Sequence, residues 1–277
     1  MTLLARPLTT SLATVLLPLT LLTAPMAFAA GDRDAGNAAW EEILGDKKVS
    51  RDPTMNRSVN RVAERVIRAA DGDPDEWELA VIQDDTPNAF ALPGGKIGVH
   101  TGLFKVVENE AQLAAVIAHE VAHVTQEHGQ ARMNQNALVG IGLGILGAAF
   151  DMGEGAQRLA ATAATLGLVL PFSRDQETQA DEVGLHLMAK AGYDPREAIK
   201  VWENFERAGG NGGPEFLNTH PAPGNRGDRL EALLPEVMPI YRKHAQDEER
   251  TIRATPRNRG ETGDRVTQKG VYDIRDR

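Results

Sequence analysis

The chain has 277 residues, a formal net charge of −9 and no cysteine. That length allows one or two domains with a sizeable hydrophobic core. The lack of cysteine excludes disulfide bonds, thiolate chemistry, cysteine ligands to a metal and a lipid anchor attached through cysteine. The acidic balance argues against nucleic acid as a partner, because proteins that bind it present basic surfaces to the phosphates.

Residues 1–29 are typical of a secretory signal peptide. Arg6 supplies the positive n-region, residues 15–22 and their neighbours form the apolar core, and Ala27-Phe28-Ala29 offers small residues for cleavage. An uncleaved membrane anchor is the alternative, but the apolar core is broken by prolines and is short for a bilayer span. We expect cleavage after Ala29 and a periplasmic protein. Since Arg6 is the segment's one charged residue, the exported chain would carry −9 − 1 = −10.

The next hundred residues are predicted to form helices and a small sheet. Capping residues and apolar spacing predict two helices, alternation predicts a strand, and a Pro-Gly-Gly turn between two apolar runs predicts a hairpin. A short helix then begins at Thr101, and Asn109 caps the helix that follows it. The predicted ranges are 31–45 and 52–72 for the helices, 77–82 for the strand and 90–100 for the hairpin.

The helix after Asn109 contains an H-E-x-x-H motif made of His119, Glu120 and His123. Residues four apart share one helical face, so both imidazoles can bind one cation while Glu120 reaches a water at an open coordination position. That arrangement suits a zinc hydrolase. Two histidines that merely pack or cap are the alternative. The helix is apolar on most faces and therefore predicted to be buried, which favours zinc because buried polar groups need partners.

Two apolar stretches follow the motif, over residues 137–150 and 159–172. Each has about a dozen residues, which is short of the roughly 20 that span a bilayer. We expect core helices, with a hairpin that touches a membrane surface or an apolar substrate as the alternative. Residues 142–147 match G-x-G-x-x-G, but no strand precedes them, so no nucleotide site is predicted.

A catalytic zinc needs a third protein ligand, and Glu177 is the best candidate. Glu177 and Asp181 are four residues apart in a helix predicted over 176–191, so one can bind metal while the other hydrogen-bonds a ligand histidine. A solvated acidic face is the alternative, which the apolar residues of this helix disfavour. His100 remains open as a ligand. We expect the other histidines outside the motifs to lie at the surface: His128, His186 and His244.

The C-terminal part is predicted to contain two more helices, over residues 195–208 and 226–244. A turn at residues 218–221 precedes the second of them. Beyond residue 245 the chain is almost entirely charged and polar, which is typical of a poorly ordered tail. The expected division is therefore a signal peptide over 1–29, one domain over 30–245 and a tail over 246–277.

Together these motifs resemble the M48 family of zinc metallopeptidases. The resemblance implies an α+β, mostly helical fold, a zincin-like (gluzincin) metalloprotease domain with one small sheet. It also implies one zinc per chain on His119, His123 and Glu177, with Glu120 as general base and Asp181 as a supporting acid. The segments that carry it are residues 88–95, 116–123, 172–184, 191–195 and 219–221, with Arg226.

The resemblance implies an endopeptidase of the cell envelope whose substrates are misfolded or unassembled exported and outer-membrane proteins. The strand at Asn88, Ala89 and Phe90 is expected to run along the cleft, where an extended substrate adds as a further strand. A chaperone-like module that binds clients and keeps a latent zinc site is the alternative function. The intact Glu120 favours the enzyme. The apolar stretches are the reason why the chaperone-like module remains an alternative. They also leave peripheral membrane contact through residues 137–172 as an alternative.

His220 has three alternative roles. With Arg226 it could hydrogen-bond the oxyanion of the tetrahedral intermediate. It could instead occupy the open zinc position and hold the enzyme latent. The third alternative is a simple turn, formed with Pro221 before the last helix.

Overall fold

A computed structural model describes residues 30–132, 171–208, 215–221, 224–254 and 272–273. The predicted signal peptide lies outside these ranges, as do both apolar stretches apart from Pro171 and Phe172. The helices are α1 (Ala30–Asp46), α2 (Pro53–Ala69), α3 (Glu110–Thr125), α4 (Arg174–Lys190), α5 (Arg196–Ala208), α6 (Glu215–Thr219) and α7 (Arg226–Ala254). The strands are β1 (Glu78–Ile82), β2 (Ala89–Leu92), β3 (Lys96–His100) and β4 (Tyr272–Asp273), and 3-10 helices cover Pro74–Glu76 and Thr101–Lys105.

The four described strands form one sheet in the order β2-β3-β1-β4. β2 and β3 are the antiparallel hairpin predicted from the sequence, and β1 runs parallel to β3. Gly94 and Gly95 make the hairpin turn with φ values of 78° and 76°, a conformation that glycine adopts without steric cost. The mostly helical α+β fold with one small sheet is therefore confirmed.

Both faces of the sheet are buried. Alternate residues of β1 point to opposite faces, and each set packs in a core. Leu79 and Val81 belong to the main core with α2 and α3, whereas Ala80 and Ile82 pack with Trp40 of α1. α1 therefore covers one face of the sheet, and the remaining helices build the larger core on the other.

α3 lies at the centre of the larger core, in contact with α2, α4, α5 and β2. The Asn109 side chain caps its start by accepting from the backbone N–H of Gln112 at 3.0 Å. From Gln112 to His123 every residue is buried. The sequence prediction of a buried motif helix capped by Asn109 is confirmed.

α4 approaches α3 closely because Gly184 faces the backbone of the motif. A Cβ atom placed on Gly184 would lie 3.1 Å from the backbone nitrogen of His119. Glycine inside a helix costs about 1 kcal/mol relative to alanine, so a packing reason is expected where it occurs. Here the missing side chain lets Glu177 and Asp181 of α4 reach the histidines of α3.

The C-terminal region differs from the prediction in two places. α7 continues to Ala254, past the expected end at residue 244, and β4 pairs antiparallel with Glu78 and Leu79 of β1. Apolar spacing fades after residue 244, yet Ala, Gln, Glu and Arg are good helix formers, so the helix continues where its amphipathic pattern stops. Within the described ranges, no helix is long and apolar enough to cross a membrane.

Gly184→Ala should destabilise the fold by about 1–2 kcal/mol despite the better helix propensity of alanine, because the backbone of α3 must move to admit the new methyl group. Denaturant unfolding of the two proteins measures this. Gly227→Ala in α7 is the matched control, since a Cβ there meets no atom within 4 Å. Equal stability changes in both variants would contradict the close-approach explanation.

Candidate active site

Three side chains that were predicted as metal ligands meet where α3 and α4 come together. The Nε2 atoms of His119 and His123 are 3.0 Å apart. Glu177 lies across from them, with Oε2 3.4 Å from His119 Nε2 and Oε1 3.3 Å from His123 Nε2. A capping box between Ser173 and Gln176 fixes the start of α4, so Glu177 sits in its first turn. All three side chains are buried.

His220 brings a fourth donor atom into the same group. One ligand atom from each of His119, His123, Glu177 and His220 lies within 4.8 Å of the others. The Nδ1 atom of His220 is held at 2.9 Å from Thr219 Oγ1, and its ring stacks on Phe216 with centroids 4.3 Å apart. These contacts aim Nε2 into the site, where it lies 3.4 Å from Glu120 Oε1. The structure therefore places His220 beside the predicted ligands and Glu120.

Asp181 stands on the other side of His119, with Oδ1 3.2 Å from His119 Nδ1. Its second oxygen accepts from Arg226 Nε at 2.8 Å and from Arg229 Nη2 at 3.0 Å. Arg226 also donates through Nη2 to Glu177 Oε2 at 2.5 Å. Arg226 thus contacts two carboxylates of the site through Nε and Nη2, while its Nη1 is buried without a hydrogen-bond partner among the described residues. The predicted oxyanion contact of Arg226 stays a prediction.

Sequence reasoning missed Arg229. The available signal was its position three residues after Arg226, which places both on one face of α7. That face packs on α4, so both arginines reach the carboxylates of the same helix.

The charges of these groups are coupled. Burial lowers the pKa of His119, but the carboxylates of Glu177 and Asp181 outweigh burial and raise it to about 9. Burial lowers the pKa of His123 to about 3 and holds that of His220 well below its usual value. Burial opposes ionisation of Glu177, yet His119 and His123 keep the pKa of its carboxyl far below the ordinary range. Of the three histidines in this group, His119 is therefore the one that favours the protonated form in the absence of a cation.

Glu120 borders the ligand group without belonging to it. Burial raises the pKa of its carboxyl to about 8, and the backbone N–H of Ala91 in β2 partly opposes that shift. His100 N donates to Asn88 O at 2.9 Å, so in the alternating pattern of an antiparallel pair Ala89 and Ala91 turn their backbone groups away from β3. The predicted substrate strand therefore runs beside Glu120 as an edge strand.

The donor set fits a metal ion. Glu177 Oε1 and His220 Nε2 are buried without a hydrogen-bond partner among the described residues, and buried polar atoms normally have one. Two or three imidazole nitrogens with one carboxylate oxygen are the ligands of catalytic zinc sites. A cation held by these residues would satisfy the unpaired atoms.

Comparison with known proteins agrees with the geometry. Residues 53–234 match the family described as Peptidase family M48. The chain belongs to this family. It is 37% identical over 205 residues to mitochondrial metalloendopeptidase OMA1 of Schizosaccharomyces pombe. The aligned region covers 72% of this chain and 60% of that protein. It is also 31% identical over 221 residues to the beta-barrel assembly-enhancing protease of Escherichia coli K12, with 76% of this chain and 45% of that protein covered.

The chain therefore spans about half the length of the curated relatives that it matches. Family M48 consists of metallopeptidases, so the metal-dependent character of the site follows from membership. The four-donor group and Glu120 both lie inside the matched residues.

The remaining histidines occupy three different environments in this M48 domain. His100 contacts Thr86 Oγ1 at 3.3 Å through Nδ1 and stays outside the donor group. His186 and His244 are partly exposed, as expected. The prediction that His128 lies at the surface is wrong, because it is buried with its Nδ1 3.0 Å from His123 Nδ1. α3 ends at Thr125 and Glu127 has φ 56°, so helical spacing from His123 no longer describes its direction.

The metal-free M48 domain should lose stability as pH rises from 6.5 to 9. The pKa of His119 is raised from 6.5 to about 9, so its stabilising proton is fully bound below pH 6.5 and lost as pH passes about 9. Glu120, with its pKa raised to about 8, acts in the same direction, since ionising it inside the fold is unfavourable. Urea unfolding at pH 6.5, 7.5 and 9 tests this. Stability that is constant or increasing over this range would contradict it.

Proposed function

We propose that this protein is a zinc-dependent endopeptidase of the cell envelope whose substrates are misfolded or unassembled exported proteins. One observation carries the proposal. The buried donors of His119, His123 and Glu177 lie beside a carboxyl group, Glu120, that is not needed as a ligand and borders β2, the terminal strand of the sheet among the described residues. A site built only to bind metal has no use for that combination, whereas peptide hydrolysis needs each part.

Zinc, when bound, supplies a Lewis acid that polarises the peptide carbonyl and activates water. The chain's own groups supply the proton transfers. Glu120 accepts the proton of the attacking water and later delivers it to the leaving amine, a role suited to a pKa raised toward neutrality. Asp181 orients His119 through Nδ1, and Arg226 and Arg229 hold Asp181 in place.

Substrate would bind in extended form along β2. The backbone groups of Ala89 and Ala91 face away from β3, but Ala89 is buried and the amide of Ala91 faces Glu120, so this edge would have to open to admit an added strand. Backbone pairing needs an unfolded segment and reads little of its sequence. This favours misfolded or unassembled proteins over folded ones as substrates.

We place the enzyme in the periplasm on the strength of the predicted signal peptide over residues 1–29. The name of the relative from E. coli connects that protein with the assembly of β-barrels, which supports an envelope client for this chain as well. Contact of residues 137–172 with a membrane surface stays a prediction, because nearly all of that segment lies outside the described residues.

His220 is proposed to ligate the metal in the resting enzyme and to yield that position to substrate. Its Nε2 atom lies in the same group as the three other donors, which supports ligation, and 3.4 Å from Glu120 Oε1, where it would block water. A histidine that stabilises the oxyanion would lie at the same position. The two roles are therefore distinguished by their effect on basal activity and not by geometry.

The second candidate function is a chaperone-like module that binds clients beside a latent zinc site. The apolar stretches next to the motif favour it. A module of this kind would suppress aggregation equally well with or without Glu120, whereas the enzyme would not cleave without it.

Glu120→Gln should keep its zinc and its fold but lower casein hydrolysis by about 10²–10⁴-fold, because an amide cannot accept the proton of water. Metal analysis and digestion of unfolded casein by the purified protein measure both properties. Glu231→Gln, at an exposed position on α7, is the matched control and should retain activity. If Glu120→Gln hydrolyses casein nearly as fast as wild type, Glu120 is not the general base. If wild type hydrolyses no casein but suppresses aggregation, the result favours the chaperone-like module.

His220→Ala distinguishes the resting ligand from the oxyanion contact. If His220 occupies the metal in the resting enzyme, the variant should retain zinc on the three other ligands and cleave casein faster than wild type. A slower reaction with full zinc content would instead assign His220 to the oxyanion. Initial rates at equal zinc occupancy provide the comparison.

A further inference from the structure

His123 uses its Nε2 atom toward the metal site, and its Nδ1 atom contacts a residue that the chemistry above leaves unused. That residue is His128, whose Nδ1 lies 3.0 Å from His123 Nδ1. The other ring nitrogen of His128 lies 3.1 Å from Gln179 Oε1. Ligand histidines normally direct their second ring nitrogen at a carboxylate or a carbonyl group, and His119 places its Nδ1 3.2 Å from Asp181 Oδ1. An imidazole as the partner of a ligand histidine is unusual. Carboxylate and carbonyl oxygens only accept a hydrogen bond, whereas an imidazole nitrogen donates or accepts according to the tautomer.

The contacts beyond His128 determine which tautomer it adopts. Gln179 Nε2 donates to Gln126 Oε1 at 2.8 Å, and Gln126 Nε2 donates to Thr125 Oγ1 at 3.4 Å. Thr125 Oγ1 in turn donates to the backbone carbonyl of Ala122 at 3.1 Å. A carbonyl oxygen only accepts, so every bond in this series runs in one direction.

The direction can be followed back to the metal site. Because the Gln179 amide nitrogen donates to Gln126, its oxygen is the atom that accepts from His128 Nε2–H. A neutral His128 then has a bare Nδ1, which accepts from His123 Nδ1–H. His123 is left with a bare Nε2 that points at Glu177 and His119, which is the form that a metal requires.

We propose that His128 is a positioning residue for the metal site: with Gln179 it holds His123 in the Nδ1–H tautomer and fixes the orientation of its ring. The proposal rests on the proposed metal-binding function of His123. It makes the two ligand histidines different, because His119 faces the charged Asp181 whereas His123 faces a neutral imidazole. It also ties α3 to α4 a second time, through Gln179, which lies two residues after Glu177.

Packing around the pair limits the alternatives. His123 stacks on Phe172 with ring centroids 3.9 Å apart, and Phe172 also lies near His128 at 6.4 Å. His128 is not itself one of the four grouped donors, since its Nδ1 faces the side of His123 away from Nε2. A direct ligand role for His128 would require the ring to leave both of its hydrogen-bond partners.

The test compares His128→Leu with His128→Asn in the full chain. The two side chains have the same branching, but only asparagine offers an oxygen near the position of Nδ1 that accepts from His123. Zinc affinity, measured by competition with a chromophoric chelator, should fall about 10–100-fold in the leucine variant and recover most of that loss in the asparagine variant. His186→Leu on the outer side of α4 is the matched control and should bind zinc as wild type does.

Nitrogen-15 NMR of the histidine rings in the metal-free protein gives a second readout that is independent of zinc and of proteolysis. Wild type should show His123 as the Nδ1–H tautomer and His128 as the Nε2–H tautomer, and His128→Leu should show a mixture at His123. If His128→Leu does not fold, Gln179→Ala at an exposed position replaces it and should mix the tautomers of His128.

Three results would overturn the proposal: a zinc affinity of His128→Leu within about twofold of wild type, equal losses in the leucine and asparagine variants, or wild-type His128 in the Nδ1–H form. Failure of the proposed function would look different, because wild type would then bind zinc with these same tautomers and cleave no casein.

Discussion

The carboxyl groups of Glu177 and Asp181 are buried between α3 and α4, and their charges must be balanced there. Ionised groups that are removed from water cost several kcal/mol each unless they are paired. The chain balances them with the proton on His119, with the buried guanidinium of Arg226, and in the working protein with a metal ion. The packing of α7 on α4 brings Arg226 and Arg229 to these carboxylates.

Balance of charge also explains why distant segments belong to one site. Arg226 and Arg229 are about fifty residues beyond the carboxylates that they contact, and His220 directly follows a helix of only five residues. None of these segments makes a metal site alone. Each contributes one group that satisfies a buried partner, so loss of one leaves an unpaired charge or donor and weakens the others.

The sequence predicted those parts of the site that repeat with helical spacing. His119 and His123 share a face of α3, Glu177 and Asp181 share a face of α4, and burial of both helices was visible in their apolar residues. Spacing failed where the helix stopped. Glu127 has φ 56°, and His128 reaches the site from a direction that helical periodicity does not describe. The contacts of Arg226 were also out of reach, since pairing across tertiary structure leaves no local pattern. The end of α7 and the strand β4 were missed because their sequences are polar.

Within the described residues the sheet ends in β4 at one edge and in β2 at the other. β4 covers β1, whereas β2 keeps its outward backbone groups beside Glu120. An open edge strand is a general risk for pairing between copies of a protein. Here the same edge is the proposed place for substrate, so two molecules that paired through β2 would each fill the other's cleft. Opening this edge to substrate would also open it to a second copy, so substrate entry and self-association would compete for the same strand.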